Sequence, residues 1–164
     1  MPEKKTIERA RKDKREGKSA STQAGEFVRE EMEHIRHGKH GARSPEQAIA
    51  IGLSKARRAG VKLPPPDPGE APAATRKRAK QDLKSASTRK KPSAKRARAA
   101  TAALKDEGKS AASKPSLAAH ARKAARQRTA GERSAAAKKA ARTKGPAERS
   151  AAAKKAARTR AKKK

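Results

Sequence analysis

Three histidines recur at a fixed interval in the stretch HIRHGKH: His34, His37 and His40, with Glu30 one helical turn earlier. On a helix His34 and His37 share a face, and imidazoles beside a carboxylate are the donors that zinc or nickel takes. The same residues have a plainer role, since imidazoles that finish a helix interact with its carbonyl end. The plainer role is the expectation here, so no metal and no other cofactor is expected. His120, alone in an alanine-rich segment, carries no signal. Catalysis has still less to stand on. A hydrolase triad needs a buried carboxylate and an oriented base within a cleft. The sequence holds neither GxSxG nor GxxxxGK[ST], and no enzymatic activity is expected.

The chemistry present in quantity is phosphate binding. The cassette ERSAAAKKAART runs from Glu132 to Thr143 and again, letter for letter, from Glu148 to Thr159. An eroded copy, SLAAHARKAARQ (Ser116–Gln127), keeps the same sixteen-residue spacing. In a helix Lys138 and Arg142 lie one turn apart on one side with Lys139 adjacent, and Lys154, Lys155 and Arg158 repeat the arrangement. The small alanine side chains let a backbone approach a polyanion, and repetition multiplies weak contacts through effective concentration. The expected phosphate contacts are Lys138, Lys139, Arg142, Lys154, Lys155, Arg158, Lys162, Lys163 and Lys164, assisted by Arg76, Lys77, Arg78, Lys90, Lys91, Lys95, Arg96 and Arg98.

The balance of charge fits that partner. The chain of 164 residues carries 47 Lys+Arg against 16 Asp+Glu, a formal net charge of +31. Such a chain repels itself and seeks a polyanion. Phe27 is the single aromatic, so base stacking has no platform in the basic half. Non-specific contact with duplex DNA is therefore favoured over single-strand or RNA readout. There is no cysteine. The longest apolar run, AIAIGL (Ala48–Leu53), is far short of a membrane span, and the first residues carry no hydrophobic signal segment. An intracellular protein without membrane contact is expected, cytoplasmic and nucleoid-associated. KKPSAKRARAA (Lys90–Ala100) would serve as a nuclear-localisation cluster were the source eukaryotic.

The elements that must position these residues divide at the proline-rich LPPPDPGEAPAA (Leu63–Ala74). Before it, 1–63 reads as a helical head with helices at about 6–16, 21–37 and 45–59. Val28, Met32 and Ile35 recur on a helical period beside Phe27. Ser44-Pro45-Glu46-Gln47 supplies an N-cap, a proline at the first helical position and a capping-box glutamine. Ile49 and Leu53 begin the apolar stripe of the third helix, and Gly60 stands at its C′ position. The second and third helices form an antiparallel hairpin (about 21–60). Its apolar residues, Phe27, Val28, Met32, Ile35, Ile49 and Leu53, serve as core or as a partner face. That core is thin, so the head is expected to be marginal alone or stabilised by self-association or a protein partner. The second helix, net −2, is expected to present a solvated face, with two alternatives: docking on Lys55, Arg57 and Arg58, or competing with DNA for the tail.

After the linker (64–74) come a basic segment, 75–115, with a weak hairpin arm and the repeat tail, 116–164. KREGKSAST (Lys14–Thr22) is echoed by KDEGKSAAS (Lys105–Ser113), a helix-turn-helix signal. Because methyl groups cannot offset an ordering cost of about 1–2 kcal/mol per residue, the fold class expected is mostly α where ordered. It comprises the small helical hairpin head and a long, largely disordered basic Ala/Lys-rich tail with transient helices that gains helix on binding.

The block REEMEHIRHGKHGARSPEQAIAIGLSKARRAGVKLPPP (Arg29–Pro66) resembles a small uncharacterised bacterial family whose hallmark is a QAIAIGLSKAR helix behind a Gly/His/Lys-rich turn. It is a domain of unknown function, so the resemblance implies bacterial origin and no activity. The tail is similar in composition to bacterial histone-like proteins and linker-histone tails. The function expected is non-enzymatic, largely sequence-independent DNA binding of a histone-like, nucleoid-associated kind. Two alternatives stand beside it: an RNA- or ribosome-associated basic protein, and a protein–protein adaptor acting through the 21–63 hairpin.

Overall fold

The computed structural model describes residues 2–88 and 93–161 of the chain. Its elements in order are α1 (Lys4–Arg15), α2 (Ala20–Arg36), α3 (Pro45–Arg58), α4 (Ala73–Thr88), α5 (Ala94–Lys105), a 3₁₀ turn (Ser110–Ala112), α6 (Lys114–Gln127) and α7 (Ala130–Ala161). The chain forms two compact units, Met1–His120 and Ala121–Lys164.

Local signals set the ends of the first three helices. Ser19 caps α2 by accepting from the Thr22 N–H at 3.3 Å. Ser44 caps α3 through Gln47 N–H at 3.2 Å, while Gln47 Oε1 accepts from Arg43 N–H at 2.7 Å. Each helix closes by the same left-handed turn, with Gly17, Gly38 and Gly60 at φ 71, 72 and 94. The residue after each glycine donates back into the last turn: Lys18 to Asp13 O, Lys39 to His34 O, Val61 to Ala56 O. A side chain with a Cβ is disfavoured at that φ, which is why glycine stands there.

Two apolar clusters make the core of the first unit. In one, Ala10, Ala24, Phe27, Ala56 and Val61 are buried, with Ile7, Leu53 and Leu63 packed against them. In the other, Met32, Ile35, Ala42 and Ala48 are buried together with Ala111 and Ala112, and Val28, Ile49 and Leu117 pack on it. α2 and α3 cross closely at Gly52, where a Cβ would come within 2.7 Å of Val28 Cα.

The head is thus completed by residues beyond the proline-rich linker. α4 packs on α3, burying Ala79, with Arg58 3.8 Å from Asp82. The segment 104–112 docks on the loop between α2 and α3. Gly41 N–H donates to Leu104 O at 2.7 Å and Ala42 N–H to Gly108 O at 3.0 Å. Arg36 Nε donates to Ala112 O at 3.0 Å, and Arg43 pairs with Glu107 at 3.2 Å. The KDEGKSAAS echo departs from its first copy at this point. Ser19 in the first copy caps a long helix, whereas Ser110 opens a single 3₁₀ turn whose two alanines enter the core.

The expected long disordered tail is overturned. Residues 73–88, 94–105, 114–127 and 130–161 are helical, so the chain is a helical protein along its described length. Two physical terms account for the difference. Alanine, lysine and arginine are among the best helix formers, and start signals reinforce them. Thr129 and Glu132 form a reciprocal capping box, Glu132 N–H to Thr129 Oγ1 at 3.2 Å and Thr129 N–H to Glu132 Oε2 at 2.7 Å. These hydrogen bonds hold the Glu132 carboxyl below its ordinary value, the Thr129 backbone contributing most. Methyl groups also bury little area each, yet they allow close docking, as Ala79, Ala111 and Ala112 do.

Candidate nucleic-acid interface

α7 is where alanine and cation alternate without a core to serve. None of its described residues is buried. Lys138, Lys139, Arg142, Lys154, Lys155 and Arg158 are all exposed, as are Arg133, Arg149 and Arg160, which the sequence analysis did not single out. They belong to the same cassettes and could have been found from the repeat itself. The second unit carries 17 basic residues against 2 acidic ones in the sequence. Small neighbours leave these cations unhindered, and their stems carry no packing duty.

The helix is broken at Gly145, whose φ 63 and ψ 169 are non-helical, with Pro146 following. Gly145 occupies the place in the second cassette that Thr129 has before the first. Proline fits the first position of a new helix because its missing N–H is unsatisfied there in any case. In an unbroken helix sixteen residues rotate a side chain by about 160°, which would aim the two basic triplets to nearly opposite sides. The break frees the second cassette from that phase. Thr143 Oγ1 donates to Lys139 O at 2.9 Å and Thr159 Oγ1 to Lys155 O at 3.0 Å, so each copy repeats its local geometry.

In the first unit Lys77 and Arg78 on α4 and Lys95, Arg96 and Arg98 on α5 are exposed, and Arg76 is half-buried. Lys90, Lys91, Lys162, Lys163 and Lys164 lie outside the described residues. α5 buries none of its residues, so Ala97 and Ala100 do not form a packed hairpin arm. The apolar hairpin residues sit inward instead. Phe27, Met32 and Ile35 are buried, while Val28, Ile49 and Leu53 are half-buried against the clusters.

The acidic helix α2 is neutralised within its own unit. Glu26 pairs with Arg9 at 2.6 Å and Arg29 at 3.0 Å. Glu30 and Glu31 are buried, and Lys55 reaches both, closely to Glu31 and at 3.9 Å to Glu30. Of the three cations in the docking alternative, Lys55 meets α2. Arg57 instead donates to the carbonyls of Leu63 and Pro64, and burial pushes its guanidinium down from the ordinary value. Arg58 turns to Asp82.

The histidines separate. His37 is the exposed C-cap of α2, and its backbone N–H donates to the Glu33 carbonyl at 2.9 Å. His34 and His40 converge with Glu31, each offering a ligand atom within 4.8 Å of the others. Glu30, the carboxylate expected beside the histidines, is not part of this group. Glu31 is the residue three before His34, and that same-face spacing was the available signal.

Residues 11–66 match a protein-family model described as a family of unknown function (DUF6496). That span holds the last turn of α1, all of α2 and α3, and the histidine loop. No curated protein and no solved structure matches the chain. Among the described residues no helix is long and apolar enough to cross a membrane.

Proposed function

We propose that this chain is a non-enzymatic, largely sequence-independent DNA-binding protein of the histone-like, nucleoid-associated kind. Its helical basic segments lie along phosphate backbones, and the family-matched head serves as the folded support. The observation that carries this reading is α7: two identical cassettes whose cations are all exposed, on a helix with no buried residue among those described. A structural role would bury one face of such a helix, and a helix that only solubilises needs no repeated triplet. Counterion release gives lysine and arginine on this surface a large favourable term at low salt. With no aromatic in α4–α7, the contact is with backbone and not with bases. The buried state of Phe27, Met32 and Ile35 leaves the hairpin little apolar surface to offer a protein partner.

Competition at physiological ionic strength tests this. A labelled duplex bound to the protein is challenged with unrelated duplexes, structured RNA and single strands. Duplexes of different sequence are expected to compete within about threefold of each other, which corresponds to less than one specific base contact, and better than single strands. Preferential displacement by RNA would move the reading to an RNA-associated protein, and absence of binding to any polyanion would end it.

A further inference from the structure

We propose that Glu31, His34 and His40 form a binding site for one divalent transition-metal ion of the zinc or nickel type, built into the head and independent of the basic cassettes. The three side chains come from two places. Glu31 and His34 are three residues apart on one face of α2. His40 returns to them from the loop that Gly38 turns at φ 72, and that loop is fastened by Gly41 N–H to Leu104 O. The His34 and His40 rings meet edge to face with centroids 6.0 Å apart.

The state of Glu31 points to a missing cation. Its side chain is fully buried. Oε2 accepts from Lys55, whereas Oε1 is buried without a hydrogen-bond partner. That orphan oxygen faces His40 Nε2 at 3.2 Å without the geometry of a hydrogen bond. His40 Nδ1 lies 3.1 Å from Gly41 O. A carbonyl only accepts, so Nδ1 is the donor there and Nε2 is the atom turned to the orphan oxygen. A buried carboxylate oxygen without a hydrogen bond is costly unless a cation lies beside it.

Both imidazoles have the outer partner that a metal ligand has. Glu3 Oε1 lies 2.9 Å from His34 Nε2, and Gly41 O takes the Nδ1–H of His40. A carboxylate or carbonyl that fixes one ring nitrogen as donor orients the ring and leaves the other nitrogen for the ion. The same Glu3 oxygen accepts from Lys39 Nζ at 2.8 Å. Glu3 is itself placed by its backbone N–H, which donates to the buried Glu30 Oε2 at 3.1 Å. The charged groups around the site are the carboxylates of Glu3, Glu30 and Glu31 and the ammoniums of Lys39 and Lys55, an excess of carboxylate that favours a cation.

Two imidazoles and a carboxylate are the three-ligand set that leaves an open fourth position on zinc. Ligand atoms around a four-coordinate ion with bonds of about 2.1 Å stand roughly 3.4 Å apart, so small side-chain movements from the present spacing close the site. Magnesium, which prefers an all-oxygen shell, is excluded by the same donors.

The test is a calorimetric titration of the full chain, carrying no added histidines, with zinc chloride, nickel chloride and magnesium chloride. Circular dichroism checks the fold of every variant. One zinc or nickel ion per chain is expected, with a rise in Tm. His34→Gln and His40→Gln are each expected to weaken binding by at least about 100-fold, since even outer partners are worth about 10–100-fold. The exposed Glu3→Gln, which keeps all three ligands, should cost about tenfold and keeps the test decisive if a histidine variant fails to fold. His37→Gln should bind like the parent. Absence of saturable binding, an equal loss in His37→Gln, or magnesium binding as tightly as zinc would each overturn the site.

Discussion

Glu46 shows how a single side chain joins distant parts of the head. It lies in the first turn of α3, and its carboxylate is 3.0 Å from His120 Nδ1. Its own backbone N–H, then His120 and Ser44, hold its carboxyl at about 2, against an ordinary value of 4.5. A carboxyl with a lowered folded pKa contributes stability that is fully present above 4.5 and is lost as the pH falls from there toward about 2. Glu46→Gln removes that dependence. Thermal unfolding followed across this interval should show a smaller loss of Tm on acidification for Glu46→Gln than for the parent. Parallel curves would mean that the contact contributes nothing to folding. His120 looked like a lone histidine in an alanine helix, because its partner lies 74 residues away and no spacing rule connects them.

At the scale of elements, the docking of 104–112 on the α2–α3 loop depends on Gly41. A Cβ there would lie 1.8 Å from Glu107 O, which no side-chain adjustment relieves because the obstacle is backbone. Gly41→Ala should therefore release the segment, with loss of the Gly41 and Ala42 donations to Leu104 O and Gly108 O. At about 1 kcal/mol for each hydrogen bond, stability should fall by about 2 kcal/mol in denaturant titration, and exchange of those two amides should quicken. Unchanged exchange would contradict the docking. Much of the head was legible at this scale because its signals are local: the Ser44 cap, the proline at 45, the glycine at 60 and the period of Val28, Met32 and Ile35. The completion of the core was not. Ala111 and Ala112 carry no periodic apolar signal and bury one methyl group each, so only tertiary contact reveals them. The tail helices were underestimated for a related reason. Weighing alanine by its buried area overlooks the helix propensity and the capping box that set α7.

At the scale of the molecule, charge is divided by role. In the first unit the buried carboxylates, Glu30 and Glu31, and the paired ones, Glu26 and Glu46, are engaged with cations or histidines of the same unit. Their charge is met inside the unit that carries them. In the second unit the cations outnumber the acids by 17 to 2, and those described on α7 face solvent. The family match over 11–66 covers the capped helices α2 and α3 and none of the cassettes. The head and the cassettes are therefore separable in composition, and the proposed metal site and the proposed DNA contact are separable in test.

The dependence of duplex affinity on salt, in the parent and in a variant with Lys138, Lys139, Arg142, Lys154, Lys155 and Arg158 changed to glutamine, addresses the central claim most directly. Each phosphate contact contributes about 0.9 to the slope of log affinity against log salt, so the variant's slope should be shallower by up to about 5, with circular dichroism unchanged. A slope identical to the parent's would show that the cassettes do not touch phosphate.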